Sequence, residues 1–170
     1  MSVGARREKT CCFTGHRPEK LPWKSESDPR CTALKERLRA AVEQAYADGF
    51  RHFICGMARG ADFYFCEAVL ALREDHPEVK VEAAIPCEEQ AARWGEADRA
   101  RYFALVERCD WETMVQRRYD RWCMLKRDRY MVDQASRIIA VYNGTLGGTM
   151  YTVTYAVRQG LELVILPPEE

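Results

Sequence analysis

Apolar residues in this chain alternate between two periods. Short, nearly continuous runs cover Lys9 to Thr14, Phe50 to Cys55, Val79 to Ile85, Arg137 to Tyr142 and Leu161 to Leu166. Runs of that length, rich in Val, Ile, Phe and Cys and closed by Gly or Pro, read as strands buried on both faces. Between them the spacing stretches to three and four. Leu34, Leu38, Ala41, Val42 and Ala45 form one helical stripe, ended by Asp48-Gly49, where a left-handed C-cap fits. Phe63, Cys66, Val69 and Leu70 form a second, closing near His76-Pro77, and Thr149 to Arg158 suits another. Asp120 to Ala135 also has helical character, as does Glu88 to Cys109, although Gly95 interrupts it and its apolar face is weak. Cys109 to Val115 is a further candidate strand, and the connection holding Pro18, Pro22, Trp23 and Pro29 cannot be helical throughout.

Strands that alternate with helices need long right-handed crossovers, which place helices on both faces of a parallel sheet. The expected class is α/β, a Rossmann-like three-layer α/β/α sandwich with a mostly parallel sheet. No repeat or linker divides the chain, so residues 1–170 are read as one domain.

Composition narrows the partners. With 26 basic and 26 acidic side chains the formal net charge is zero, which makes nucleic acid an unlikely partner unless a local patch exists. The opening Met1 to Lys9 is polar and is read as leading directly into a strand, and no apolar stretch approaches the roughly 20 residues that span a bilayer. A cytoplasmic protein without membrane contact is expected. The eight cysteines contain no Cys-x-x-Cys pair, so buried reduced thiols are expected and no metal site. Cys11 and Cys12, being adjacent on a strand, should face opposite sides of the sheet.

Three strands run into glycine-bearing turns. In an open α/β sheet such turns gather at the carboxyl rim, where amides at helix starts favour anions. After the first strand, Thr14, Gly15, His16 and Arg17 offer a hydroxyl, a free backbone, an imidazole and a phosphate-clamping guanidinium. In the second turn Gly56 allows close ligand approach, Gly60 eases helix entry beside Ala61, and Asp62 caps the helix or accepts from a sugar hydroxyl. Gly147, Gly148 and Thr149 supply amides and a hydroxyl at a later helix start. Arg117, Arg118, Arg121, Lys126, Arg127 and Arg129, interleaved with Tyr119, Trp122 and Tyr130, read more readily as a solvated helix face with aromatic anchors in the core than as a stacking surface. Arg127, Asp128 and Asp133 either pair with one another or reach the site from behind.

Taken in order, Thr14-Gly15-His16-Arg17-Pro18, Gly56 to Asp62, Ile85-Pro86, Trp94, Arg129-Tyr130-Met131-Val132-Asp133, Ile139-Ala140-Val141-Tyr142 and Gly147-Gly148-Thr149 make the chain resemble the bacterial YpsA-like family of the SLOG superfamily. Other branches of that superfamily include the Lonely Guy phosphoribohydrolases and DprA-type DNA-binding proteins. The resemblance implies a nucleotide-derived ligand held by the glycine turns, no required cofactor, and self-association into a homo-oligomer. It implies no established reaction. Lonely Guy proteins carry Pro-Gly-Gly-x-Gly-Thr-x-x-Glu, and the glutamate position here is Thr152. N-glycoside cleavage would then need another carboxylate, with Asp62, Glu67 and Asp128 the candidates. Three readings therefore stand open: binding or sensing of a nucleotide, nucleotide-sugar or ADP-ribose-like molecule; an N-glycosidase; and single-stranded nucleic-acid binding.

Overall fold

The computed structural model describes residues 3–169. Along them run α1 (Val3–Glu8), β1 (Thr10–Gly15), α2 (Pro29–Ala47), β2 (His52–Cys55), α3 (Ala61–Asp75), β3 (Lys80–Ile85), α4 (Glu96–Arg108), β4 (Trp111–Met114), α5 (Cys123–Gln134), β5 (Arg137–Val141), α6 (Gly148–Arg158) and β6 (Glu162–Leu166). The strands form one sheet in the order β4-β3-β2-β1-β5-β6. Every pairing is parallel, so the sheet is more uniform than the alternation of elements required.

Burial explains the central order. Cys11, Cys12 and Phe13 of β1 are fully buried, as are Ile138 to Val141 of β5. Cys11 and Phe13 join a core beneath α2 and α3, whereas Cys12 joins a smaller one with Met131, Val132 and Ala156 beneath α5 and α6. The adjacent cysteines thus face opposite sides, as strand geometry demands. Helices α2, α3 and α4 cover one face; α5 and α6 pack together on the other. The chain leaves β1 toward β2 and later returns to β1's other flank with β5. That reversal opens a crevice at the carboxyl ends of β1 and β5.

Local chemistry sets the element ends. Asp28 caps α2 by accepting from Arg30 N at 2.9 Å, with Pro29 at the first helical position. Two boundaries differ from expectation. The polar opening contains α1, whose last turn is closed by Thr10 Oγ1 donating to the Arg6 carbonyl at 2.6 Å. Helix α4 starts only at Glu96, because Gly95 interrupts the preceding turns. The candidate strand Cys109 to Val115 holds β4 at the sheet edge, where among the described residues it pairs with β3 alone. Among the described residues no helix is long and apolar enough to cross a membrane.

Candidate functional site

A cleft of about 410 Å³ opens at the β1–β5 reversal. Its walls are Thr14 to Arg17 and Lys20 at and beyond the end of β1, Ala58 and Asp62 around the start of α3, Met124, Arg127 and Asp128 of α5, and Gly147 to Thr149 at the start of α6. The first and third glycine turns therefore meet. The second contributes less than its pattern suggested.

The α6 start is the most open wall. No side chain caps that helix, and Gly147 adopts φ +147°, a conformation side-chain-bearing residues rarely hold. Lys20 arches across from the β1 loop, and its Nζ donates to the Leu146 carbonyl. A Cβ on Gly147 would collide with that ammonium. The glycine thus admits a lysine to the anion-favouring end of a helix.

In the first turn Thr14 is buried beside the cleft and Arg17 is exposed, its Nη2 3.8 Å from Met124 Sδ. His16 is 1% exposed. Asn143 brackets its Nε2, with the backbone N–H at 3.0 Å and the side-chain oxygen at 2.9 Å. His16 N donates to the Val141 carbonyl, and His16 O accepts from Ala61 N, each at 3.2 Å. Burial pushes the imidazole pKa down, favouring the neutral ring. His16 thus ties the β1 loop to both the β5 loop and α3, and Gly15 keeps that junction close: a Cβ there would lie 2.7 Å from Ala61 Cβ.

The second turn corrects the expectation for its glycines. Gly56 does not face the cleft; a Cβ there would sit 2.8 Å from Arg127 Nη1, so the close approach is made by the protein's own guanidinium. Gly60, at φ +87°, presses against His16 O and Pro18, and Ala61 is wholly buried with its amide spent on His16. Only Ala58 and Asp62 reach the cleft. Asp62 Oδ2 accepts from Ala58 N at 2.9 Å, and burial pushes its carboxyl up to about 6 against the pull of Arg127.

Behind Asp62 lies a buried charge cluster. Arg127, 4% exposed, donates from Nε to Asp128 Oδ1 at 2.7 Å and from Nη1 to the Gly56 carbonyl at 2.5 Å and Gln90 Oε1 at 3.3 Å. Thr152 Oγ1 lies 3.1 Å from Asp128 Oδ2 and 2.9 Å from the Gly148 carbonyl. Where the Lonely Guy pattern has glutamate, this chain therefore has a hydroxyl placed against a carboxylate from α5. Both Asp128 oxygens are engaged, whereas Asp62 has one oxygen accepting from a backbone N–H. Asp133 does not reach the site: it accepts from Tyr155 OH at 2.7 Å on the outer surface. Glu67 is likewise remote, paired with Arg101 at 2.5 Å.

The basic segment divides. Arg127 is buried, and Tyr130 anchors α5 by donating to Glu82 Oε2. Tyr119 and Trp122 are exposed, not core anchors as expected. Lys20, Asn143 and Met124 escaped the sequence reading, and Thr152 entered it only as the residue at the Lonely Guy glutamate position. Only Thr152 had a local signal, four residues after Gly148 and hence on the same helix face; Lys20 lies in a proline-rich connection without periodicity.

Fold and cleft together define a doubly wound α/β protein with a crevice at the strand-order reversal. The chain belongs to the family described as the YspA SLOG family, whose pattern matches residues 11–162. It is 29% identical over 145 residues to the uncharacterized SPbeta prophage-derived protein YoqJ of Bacillus subtilis, covering 77% of this chain and 84% of that one. A UPF0398 protein of Bacillus pumilus is 23% identical over 137 residues, covering 79% and 74%. Among solved structures, DNA processing protein A of Streptococcus pneumoniae shares the fold with a TM-score of 0.62 at 13% identity, over 98% of this chain; this chain spans about half of that one, 53%. The Helicobacter pylori counterpart, described for its single-stranded DNA binding mode, gives 0.63 at 15% identity over 97% of this chain and 67% of its own.

Proposed function

We propose that the cleft binds or senses a phosphate-bearing nucleotide-derived ligand, a nucleotide, nucleotide-sugar or ADP-ribose-like molecule, without a further cofactor. The observation that carries this is the uncapped α6 start faced by Lys20 and Arg17. Amides at a helix start favour an anion by about 0.3–1 kcal/mol, and more when partly buried. A hydrogen bond to a charged group adds about 1.5–3 kcal/mol. Lys20 contacts a neutral carbonyl and Arg17 a thioether, so each has charge to offer a phosphate. A thermal-shift panel of mono- and dinucleotides is expected to give stabilisation by phosphorylated members, about 2.7 kcal/mol at a hundredfold excess over Kd. Lys20→Ala should weaken binding roughly 10- to 100-fold. Silence from every phosphorylated member at millimolar concentration would remove the reading.

A second reading, N-glycoside cleavage, is favoured by Asp62. A carboxyl raised to about 6 beside a cleft suits general acid–base work near neutrality, whereas Asp128 is held by Arg127 and Thr152. Free base released from a nucleoside monophosphate or NAD-type substrate, and lost in Asp62→Asn, is the expected signature; turnover untouched by that change would discard the assignment. Single-stranded nucleic acid offers the same phosphate and base chemistry in a longer form. The DprA likeness supports it and the zero net charge opposes it, and a steep fall of affinity with salt would distinguish it.

A further inference from the structure

Outside the cleft, the exposed Trp122, the half-buried Tyr151 and Tyr155 and several cations collect on the outer side of α5 and α6. Two hollows lie there, of about 490 and 340 Å³, sharing Arg129 and Tyr151. Each also touches the cleft: the first through Leu125, the second through Gly147. The surface therefore runs without a break from the phosphate-favouring helix start to Trp122.

Its chemistry is particular. Trp122 is 50% exposed, with the Arg121 guanidinium 4.6 Å from its ring centre. Arg129 Nε donates to Tyr151 OH at 2.6 Å, and its guanidinium lies over the Tyr151 and Tyr155 rings at 5.7 and 5.3 Å. Arg129 is thus held in place by neutral rings, and Lys126 by the Gln116 side-chain oxygen at 3.0 Å. Among the described residues neither is within 4 Å of a carboxylate, whereas Arg59, Arg73, Arg101 and Arg137 elsewhere on the molecule are ion-paired. An exposed indole beside cations with no carboxylate in direct contact is what a base attached to a phosphodiester requires.

Building on the nucleotide reading of the cleft, we propose that the α5–α6 groove around Trp122, Arg129 and Tyr151 is a second base site. The ligand class is then a molecule with two nucleobases joined through phosphate, one end in the cleft and the other base stacked on Trp122. Lys126 and Arg129 face the linking phosphate. A mononucleotide fills the cleft alone and leaves the groove untouched.

The test compares 5′-AMP with the 5′-phosphorylated dinucleotide pApA by calorimetry on the whole chain. The dinucleotide should bind roughly 5- to 100-fold tighter, the range given by stacking one base on an aromatic ring. Trp122→Ala should erase that advantage while leaving 5′-AMP affinity unchanged, and Trp122→Phe should restore most of it. Trp122 is exposed, so neither change disturbs the core. Equal affinities for 5′-AMP and pApA would overturn the second site and leave the cleft reading intact; absence of binding by either would overturn both. A Trp122→Ala loss shared equally by the two probes would place Trp122 in the first base site and refute the proposal. So would a concentration-dependent dimer abolished by Trp122→Ala with no dinucleotide advantage, since the groove would then belong to a second copy.

Discussion

Replacing Arg127 by methionine is expected to lower the unfolding free energy by about 3–5 kcal/mol at pH 7, the usual consequence of removing one partner from a buried ion pair. Methionine fills much of the same volume, so the loss reports charge more than space. The guanidinium answers Asp128 directly, draws down the Asp62 carboxyl, and satisfies the Gly56 carbonyl. Without it the buried Asp62 keeps only the weaker pull of Arg17 against the field of Asp128. Urea unfolding measures the difference, and the deficit should shrink as the pH falls below 6, where the Asp62 carboxyl takes up its proton. A loss under about 1 kcal/mol at pH 7 would mean that water, and not Arg127, serves these groups.

Asp62→Asn should act in the opposite direction, raising stability at pH 8 by about 1–3 kcal/mol and changing it little at pH 4. Burial raises the folded pKa of Asp62 to about 6, above the roughly 3.9 of an unfolded aspartate. The native state therefore holds this proton more tightly than the unfolded chain. The resulting stability is fully present below about pH 4 and is lost as the pH rises through 6. Two pKa units correspond to about 3 kcal/mol, an upper bound because Arg127 compensates part of the ionised form's cost. Asparagine keeps an oxygen for the Ala58 amide and carries no charge to bury. Equal effects at the two pH values, or net destabilisation at pH 8, would show that the ionised carboxylate is structurally useful. A carboxylate that costs stability where it stands is a mark of a functional position, which links this measurement to the base-release assay.

Much of the fold was legible from periodicity alone. β1, β2, β3, β5 and β6 lie within a few residues of their apolar runs, and the parallel sheet follows because each run is joined to the next by a helical stretch. α1 was missed because a short polar helix at a chain end carries no apolar stripe. Gly147, Gly148 and Thr149 were readable as a helix start, since that geometry is local. The role of Gly56 was not: its pattern matched a ligand turn, yet the group that approaches it is Arg127, 71 positions away.

The sequence by itself determined the element order from β1 onward, the parallel α/β class and the rim on which the glycine turns lie, because each depends on neighbours within a few residues. Only the tertiary structure decided which side chains meet: Arg127 over Gly56, Lys20 over Gly147, Asn143 on His16, and Thr152 against Asp128. Those contacts join segments between 24 and 127 residues apart, or cross from one loop to another, and no local pattern encodes them. Their positions follow from how the sheet reverses between β1 and β5, and burial there makes each partner's charge or bulk matter.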